Sequence, residues 1–153
     1  MKCISLTRGK SAIVDDDDYD YLSQFKWYCS SDGYAQRMVR ENGGRHTVRM
    51  HRVILNTPKG MDSDHINRNK LDNRRSNLRI ATRSENQANK RNQINSTSGR
   101  KGVVWNRRAR KWQVKIEFRG ERIHLGYFDD IDDASNAYKV KAEELFGEFA
   151  RVE

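Results

Sequence analysis

One stretch of the sequence, residues 51–92, contains the residue types that metal-assisted phosphodiester cleavage requires. Asp64, His65, Asn77 and Asn86 follow one another there among many arginines and asparagines. A neutral imidazole can take a proton from water at about pH 7, and a carboxylate and a side-chain amide oxygen can hold a hard divalent cation. Arginines can bind the phosphates of a substrate. Few other chemistries need all of these groups together, so the stretch predicts a hydrolytic site for phosphodiesters.

The charge distribution indicates a polyanionic partner. The chain has 30 Lys and Arg against 21 Asp and Glu, a net charge of +9. Residues 52–122 hold 19 basic and 6 acidic side chains, a net charge of +13, whereas residues 123–153 have a net charge of −5. Such clustering is typical of a nucleic-acid-binding surface, and it disfavours the alternative of a merely soluble basic protein.

Composition limits the core and the cellular setting. Only 35% of the residues are hydrophobic, which favours two small cores, or one core wrapped around a partner, over a single large core. Cys3 and Cys29 are isolated, so neither a zinc site nor a disulfide framework is expected. The N-terminus lacks the apolar run of a signal peptide, and no stretch is apolar enough to span a bilayer. We therefore expect a cytoplasmic or nucleoid protein without a membrane partner.

The elements before the central stretch are predicted to be short strands. β-prone runs between residues 3 and 54 are separated by turn signals, and residues 42–44 are predicted to form the tip of a hairpin. The acidic run of residues 15–18 could suggest a cation site, but no EF-hand loop follows it. A helix that starts there and continues over residues 19–25 is the favoured interpretation.

The central stretch is predicted to place its polar residues on a strand, a loop and a helix. Residues 71–79 are rich in Asn, Asp and Ser and predict an ordered loop, and residues 78–81 suit a strand. Thr82 and Glu85 form a capping box that opens a helix through about residue 91, with Asn86 in its first turn. Strict alternation would send Asp64 and His65 to opposite faces of their strand, so only a twisted strand end could place both beside one phosphate.

Residues 51–92 resemble the HNH nuclease motif of phage and intron-encoded homing endonucleases. The motif occurs in order as H-R, D-H-I-N, N-R-R-S-N-L-R and S-E-N-Q. The resemblance implies that His65 is the general base and that Asp64 and Asn86 bind one catalytic Mg²⁺, with Mn²⁺ as a possible substitute. It also implies that Asn77 braces the loop and orients the site. His51 is a weaker candidate, for which a buried histidine bonded to backbone is the favoured interpretation.

The C-terminal region is predicted to be a small sheet packed on a helix. Three strands are expected at 102–105, 111–119 and 121–125, and a helix with an apolar stripe at about 131–146. Residues 99–150 resemble the DNA-binding domain of plant ethylene-response factors (APETALA type) through G-V-x-W, K-W-x-x-x-I, LGYF, A-x-x-A-Y and G-E-x-A. The chain departs from the plant pattern at Val104, Arg108, Glu117 and His124, so the plant target sequence is not transferred.

Basic and polar side chains of both regions are the predicted DNA contacts. In the nuclease region they are Arg52, Arg74, Arg75, Lys90 and Arg91. On the exposed face of the C-terminal sheet they are Lys101, Asn106, Arg108, Arg110, Gln113, Lys115, Arg122 and His124.

The predicted architecture is α+β: an N-terminal ββα-metal (HNH) nuclease module with preceding β-strands, then a small three-stranded antiparallel sheet packed on one helix. The nuclease domain is expected to span residues 1–95, with β-rich structure over residues 1–50 and a ββα core over residues 51–95. A linker at 96–100 and the DNA-binding domain at 101–153 follow.

The expected function is that of a site-directed DNA endonuclease of homing or mobile-element type. One active site per chain predicts a monomer that nicks double-stranded DNA without a small-molecule cofactor. The alternatives are a catalytically silent DNA-binding regulator on the same scaffold and a module that binds RNA through the basic sheet. Single-stranded RNA readers usually present stacking aromatics, whereas alternation here turns Trp112 and Phe118 toward the helix.

Overall fold

A computed structural model describes residues 1–41, 43–89 and 98–150. The chain divides into two compact units, Met1–Ala81 and Thr82–Glu153, each with its own buried apolar cluster. The class is α+β with small antiparallel sheets, as predicted. Within the described residues, none of the helices is both long and apolar enough to cross a bilayer.

The first unit alternates short strands with two short helices along the chain. Its elements are, in order, β1 (Lys2–Ser5), β2 (Ser11–Val14), α1 (Asp16–Leu22), β3 (Tyr28–Cys29), β4 (Ala35–Glu41), β5 (Gly44–Arg49), α2 (Met50–Ile54), β6 (Asp62–His65) and β7 (Leu78–Ala81). β1 pairs with β2, β3 to β5 form a three-stranded antiparallel sheet, and β6 pairs with β7. The hairpin predicted around residues 42–44 is confirmed by the pairing of β4 with β5, although Asn42 itself lies outside the described residues.

The two helices of this unit start where local charge and periodicity favour them. The predicted helix at the acidic run is confirmed, with Asp16 to Asp18 in its first turn, although it ends at Leu22 rather than at residue 25. Negative side chains are stabilising there because the helix dipole is positive at its N-terminus. The last of the β-prone runs before residue 55 was expected to be extended, and this was wrong over Met50–Ile54. Met50 and Ile54, one helical turn apart, both enter the core, so the chain is helical there.

The second unit is a helix-backed sheet with a further short helix at its start. Its elements are α3 (Arg83–Asn89), β8 (Val103–Asn106), β9 (Lys111–Phe118), β10 (Glu121–Phe128) and α4 (Ile131–Phe146). The sheet has the order β10-β9-β8 and is antiparallel throughout. The three strands and the helix predicted from the sequence are confirmed. β10 continues to Phe128, three residues beyond the prediction, because a bulge between His124 and Gly126 restores the pairing.

The core of the second unit lies between the sheet and α4. Val114 and Ile116 of β9 face Ala134, Tyr138 and other buried residues of α4. The Asp130 carboxylate caps α4 by accepting from the backbone N–H of Asp132 (2.7 Å) and Asp133 (3.2 Å).

The capping box predicted at the start of α3 is confirmed, and the helix belongs to the second unit. The backbone N–H of Thr82 donates to Glu85 Oε2 (2.7 Å), and that of Glu85 donates to Thr82 Oγ1 (3.3 Å). Ala88 of α3 is buried in the second core. The end of the predicted helix at residue 91 and the first residues of the predicted linker 96–100 lie outside the described residues. The ββα arrangement and the domain limits stay predictions.

Gly102 is the glycine on which the second core most depends. Its φ of +69° suits glycine, and a Cβ there would overlap the Tyr138 ring and the carbonyl oxygen of Lys115. We expect Gly102→Ala to lower the free energy of unfolding of this unit by roughly 3 kcal/mol, measured by urea denaturation.

Gly99→Ala is the matched control. Gly99 has a similar φ of +65°, but no atom of the described residues lies within 4 Å of the added Cβ, so this variant should cost only the backbone strain, about 1 kcal/mol. Equal losses in the two variants would contradict the packing explanation.

Candidate active site

The strand pair β6–β7 places Asp64 directly opposite Arg79. The register pairs Asp64 with Arg79 and His65 with Leu78. The side chains of the first pair therefore lie on one face of the strands and those of the second pair on the other. Asp64 is 6% exposed, and its Oδ2 accepts from Arg79 Nε (3.0 Å) and Nη2 (2.9 Å). The alternation expected from the sequence is therefore present, and the carboxylate lies beside a guanidinium.

The His65 ring is buried among polar and aromatic partners. It is 4% exposed, and Nε2 lies 3.3 Å from Asn73 Oδ1. Because a carbonyl oxygen only accepts, this contact puts the proton of the neutral ring on Nε2 and its basic lone pair on Nδ1. Burial lowers the pKa of His65 from its ordinary value, against the raising effect of the Asn73 hydrogen bond and of Asp64. A neutral imidazole at about pH 7 is the form that a general base needs.

His51 and Tyr34 pack against His65 and enclose it. The ring centroids of His51 and His65 are 4.8 Å apart in an edge-on arrangement, and Tyr34 lies 5.2 Å from His51 and 5.9 Å from His65. His51 is 3% exposed, and its Nδ1 has no hydrogen-bond partner among the described residues. The expectation that His51 is buried is confirmed, but the expected bond to backbone does not involve Nδ1.

The loop between β6 and β7 is ordered, as predicted, and Asn77 braces it. Asn77 Nδ2 donates to the carbonyl oxygen of Asp72 (2.8 Å), and its Oδ1 accepts from the backbone N–H of Asn67 (2.9 Å). The loop is also tied to β2, because Asn73 N–H donates to the carbonyl oxygen of Ile13 (2.8 Å). Asn77 thus contacts loop backbone, while Asn73, which the sequence did not single out, contacts the histidine.

Asn86 lies in the first turn of α3, as predicted, where its backbone N–H donates to the carbonyl oxygen of Thr82 (3.0 Å). It belongs to the second unit and Asp64 to the first. The described residues contain no cluster of three or more His, Cys, Asp or Glu arranged for a metal. The predicted set needs no such cluster, because it combines one carboxylate with one amide oxygen. These are hard donors of the kind that Mg²⁺ prefers, and Asp64 already faces a cationic group.

Three arginines predicted to bind phosphate make contacts within the first unit. Arg52 donates to the carbonyl oxygens of Met61 (2.9 Å) and Pro58 (3.4 Å). Arg74 pairs with Asp72, and Arg75 pairs with Asp18. Lys90 and Arg91, also predicted contacts, lie outside the described residues.

The polar face of the second sheet carries most of the residues predicted there. The register places Gln113, Lys115 and His124 on one face with Arg122, and Asn106 lies on the same face of β8. Arg108 and Arg110 are exposed in the turn between β8 and β9.

One residue predicted on the exposed face of this sheet lies elsewhere, and one residue that was not predicted lies on it. Lys101 is not on the exposed face, because its Nζ donates to the carbonyl oxygen of Ala88 at the end of α3. Tyr127 is exposed on the polar face, where its hydroxyl accepts from Gln113 Nε2 (3.0 Å) and its ring lies 4.9 Å from His124. Sequence reasoning missed Tyr127 because the predicted strand stopped at residue 125.

A second cationic surface lies on the β4–β5 hairpin and was not predicted. The residues paired across the hairpin share one face: Gln36, Met38, Arg40, Arg45, Thr47 and Arg49. These six side chains of the arginine face include no acidic group, although Arg49 pairs with Asp32 (3.0 Å) and stacks on Tyr34 with 4.4 Å between Cζ and the ring centroid. The alternation of basic residues on either side of the turn was the signal that could have revealed it.

A buried histidine that directly follows a buried carboxylate along one strand, on a basic chain, defines a candidate phosphodiester hydrolase. Comparison with known proteins agrees: a family model described as HNH endonuclease matches residues 56–88. The chain is 34% identical over 153 residues to the uncharacterized HNH endonuclease L560 of Acanthamoeba polyphaga mimivirus, covering 95% of this chain and 76% of that protein. It is 33% identical over 94 residues to Protein 3.8 of Escherichia phage T7, covering 61% of this chain and 77% of that protein.

The chain belongs to the HNH endonuclease family. No solved structure gives a significant match. The family match ends at residue 88, before the helix-backed sheet begins, so it lends no support to the resemblance of that sheet to the plant DNA-binding domain.

The buried His51 ring predicts that the protein loses stability in acid. Burial lowers the pKa of His51 from 6.5 to about 3, with the neighbouring His65 as a further cause. As pH falls below 6.5, the unfolded chain takes up a proton that the native ring does not take up until about pH 3. This histidine therefore costs no stability above pH 6.5. Between pH 6.5 and about pH 3, the free energy of unfolding falls by up to about 1.4 kcal/mol per pH unit. In His51→Gln, we expect the urea midpoint of unfolding to fall less steeply with acid than in the wild type.

His46→Gln serves as the control, because the side chain of His46 is 51% exposed and should leave the wild-type slope unchanged. A wild-type slope in His51→Gln would contradict the assignment.

Proposed function

We propose that this protein is a DNA endonuclease that hydrolyses one phosphodiester bond at a time with a single divalent metal and His65 as general base. The observation that supports this most is the buried His65 ring, neutral and hydrogen-bonded to Asn73, on the strand residue next to a buried carboxylate. Membership of the HNH endonuclease family supports the nuclease activity. The proposal includes DNA as the substrate and a homing or mobile-element role.

His65 would take the proton of the attacking water at Nδ1. The Asn73 contact at Nε2 fixes the tautomer, and the His51 and Tyr34 rings hold the orientation of the imidazole. A water deprotonated there attacks the phosphorus while the bond to the 3′ oxygen breaks, and this oxygen takes a proton from solvent, so the products carry 5′-phosphate and 3′-hydroxyl ends. Asn77 contributes as a positioning residue, because it holds the loop that carries Asn73.

Asp64 and Asn86 are the residues that would hold the metal. Mg²⁺, or Mn²⁺ in its place, would neutralise charge that builds up on the phosphate and on the departing oxygen. Both side chains offer oxygen, which favours these ions over Zn²⁺. Asn86 would have to come from the first turn of α3, where the capping box fixes its backbone.

The sheet of the second unit is proposed to select the DNA site, as its resemblance to the APETALA-type domain implies. Its polar face presents basic and amide side chains that can contact phosphates and base edges. The arginine face of the β4–β5 hairpin would add phosphate contacts, since a two-stranded ribbon fits the major groove. We propose a monomer that nicks, with a catalytically silent DNA-binding regulator as the alternative.

Removal of the His65 imidazole should abolish nicking. We expect His65→Ala to convert supercoiled plasmid to open circle about 100-fold more slowly than the wild type in Mg²⁺, and EDTA to stop the wild type. Agarose gels measure both rates, and thermal unfolding with a DNA-binding assay establishes that the variant is folded.

His46→Ala, at an exposed histidine of β5, is the matched control and should nick at the wild-type rate. Equal nicking by His65→Ala and the wild type would exclude the general-base role. A wild type that binds DNA but never nicks it in Mg²⁺ or Mn²⁺ would favour the regulator.

Loss of the cations on the polar face of the second sheet should weaken DNA binding and change site choice. For Lys115→Ala with Arg122→Ala, we expect a lower affinity and a decrease of about 2 in the slope of log affinity against log salt. Fluorescence anisotropy at several salt concentrations measures this, and mapped nick positions report site choice.

A control with the same change in charge is Lys10→Ala with Lys139→Ala, both exposed and neither part of this sheet. Unchanged affinity and unchanged nick positions in the sheet variant would refute the role of the sheet.

A further inference from the structure

We propose that Arg79 is a latch on Asp64: it neutralises the carboxylate while no metal is bound, and a bound metal displaces it so that it can contact the substrate phosphate. This inference rests on the proposed function, because it concerns the carboxylate assigned there to the metal. It adds a positioning residue that makes metal binding and DNA binding depend on each other. Both residues belong to the first unit and lie directly opposite each other on β6 and β7.

The pair is largely buried. The Asp64 side chain is 8% exposed and that of Arg79 is 11% exposed. A carboxylate at such a depth is costly without a cation, and so is a guanidinium without an anion. Arg79 therefore neutralises the Asp64 carboxylate, and any cation that replaced Arg79 would have to do the same.

The geometry of the pair differs from that of a neighbouring arginine–aspartate pair. Arg79 directs both Nε (3.0 Å) and Nη2 (2.9 Å) at the same oxygen of Asp64, Oδ2. Arg75 instead spans both oxygens of Asp18, with Nε on Oδ2 (2.9 Å) and Nη2 on Oδ1 (2.7 Å). The two-oxygen fork is the arrangement that best matches guanidinium to carboxylate, so the convergence of Arg79 on Oδ2 is the more readily exchanged.

Two cations cannot share Asp64 without mutual repulsion. A divalent ion on the carboxylate repels the guanidinium, and the guanidinium can leave only if another anion accepts it, because it is buried. A phosphate of the DNA is that anion, and Arg fits it by the same fork. Metal and DNA should then bind cooperatively, since each removes a cost that opposes the other.

A purely structural ion pair makes a different prediction. If Arg79 only stabilises the fold, its removal lowers stability and leaves the metal affinity equal or weaker. If it is a latch, its removal raises the affinity of Asp64 for metal in the absence of DNA. Metal affinity without DNA therefore separates the two roles, and it requires no turnover.

The test measures Mn²⁺ binding to the full-length chain without DNA, with free Mn²⁺ followed by electron paramagnetic resonance. We expect Arg79→Gln to bind Mn²⁺ about tenfold more tightly than the wild type, because removal of a close competing charge is worth a coupling of that order. Arg100→Gln breaks an exposed arginine–aspartate pair, with Asp132, that does not involve Asp64 and should keep the wild-type affinity. Asp64→Asn should lose the site.

A second measurement keeps the proposal testable if Arg79→Gln does not fold. The side-chain Nε–H resonance of Arg79 in the wild type, followed by NMR as Mg²⁺ and then duplex DNA are added, should shift with each addition. A resonance that moves with neither addition would overturn the latch.

The outcomes also separate this inference from the proposed function. Mn²⁺ binding that requires Asp64 but is no tighter in Arg79→Gln would overturn the latch and leave the proposed function standing. No Asp64-dependent binding of Mn²⁺ in any of these proteins would overturn the proposed metal site, and the latch with it.

Discussion

The position of the His65 ring depends on a loop that must keep its shape through hydrogen bonds rather than apolar packing. The segment between β6 and β7 offers Leu71 as almost its only apolar anchor. Asp72 compensates: it is 2% exposed, its carboxylate accepts from Arg74 and Asn67, and the Arg74 hydrogen bond holds the pKa of this carboxyl below its ordinary value. Because buried polar groups are costly when unpaired, one loss in this network would release several other bonds. The loop is thus a cooperative support for the histidine.

The first core is small, and it brings the second histidine to the site. The change from strand to helix at Met50 sends Met50 and Ile54 into the apolar cluster and His51 against His65. No described hydrogen bond compensates for the burial of His51 Nδ1, so the surrounding packing must offset that cost. Such uncompensated polar groups are rare in native proteins. The contacts that the buried His51 ring gains in exchange are those with the His65 and Tyr34 rings.

Much of this structure could be predicted from the sequence, and the reasons for the failures are physical. Residues 78–81, the capping box at Thr82 and the helix-backed sheet all carry local signals, namely alternation, capping residues and an apolar stripe. The placement of Asp64 and His65 on opposite faces also follows from alternation alone. Asn73 could not be selected, because several asparagines of the loop are equivalent in sequence and only the fold decides which one reaches His65. Helix α2 was missed because burial against the core overrode the β propensity of its residues.

The assignment of α3 to the second unit has a consequence for the evolution and engineering of such chains. Ala88 lies in the second core, Lys101 holds the end of the helix, and Arg119 N–H donates to Ser84 Oγ (3.1 Å). The helix that carries Asn86 is therefore built into the same folding unit as the sheet. Recombination that exchanges the C-terminal region as a cassette at residues 96–100 would separate α3 from its packing partners. A crossover between Ala81 and Thr82 would preserve them, but the incoming segment would then have to bring its own equivalent of Asn86, the proposed metal ligand.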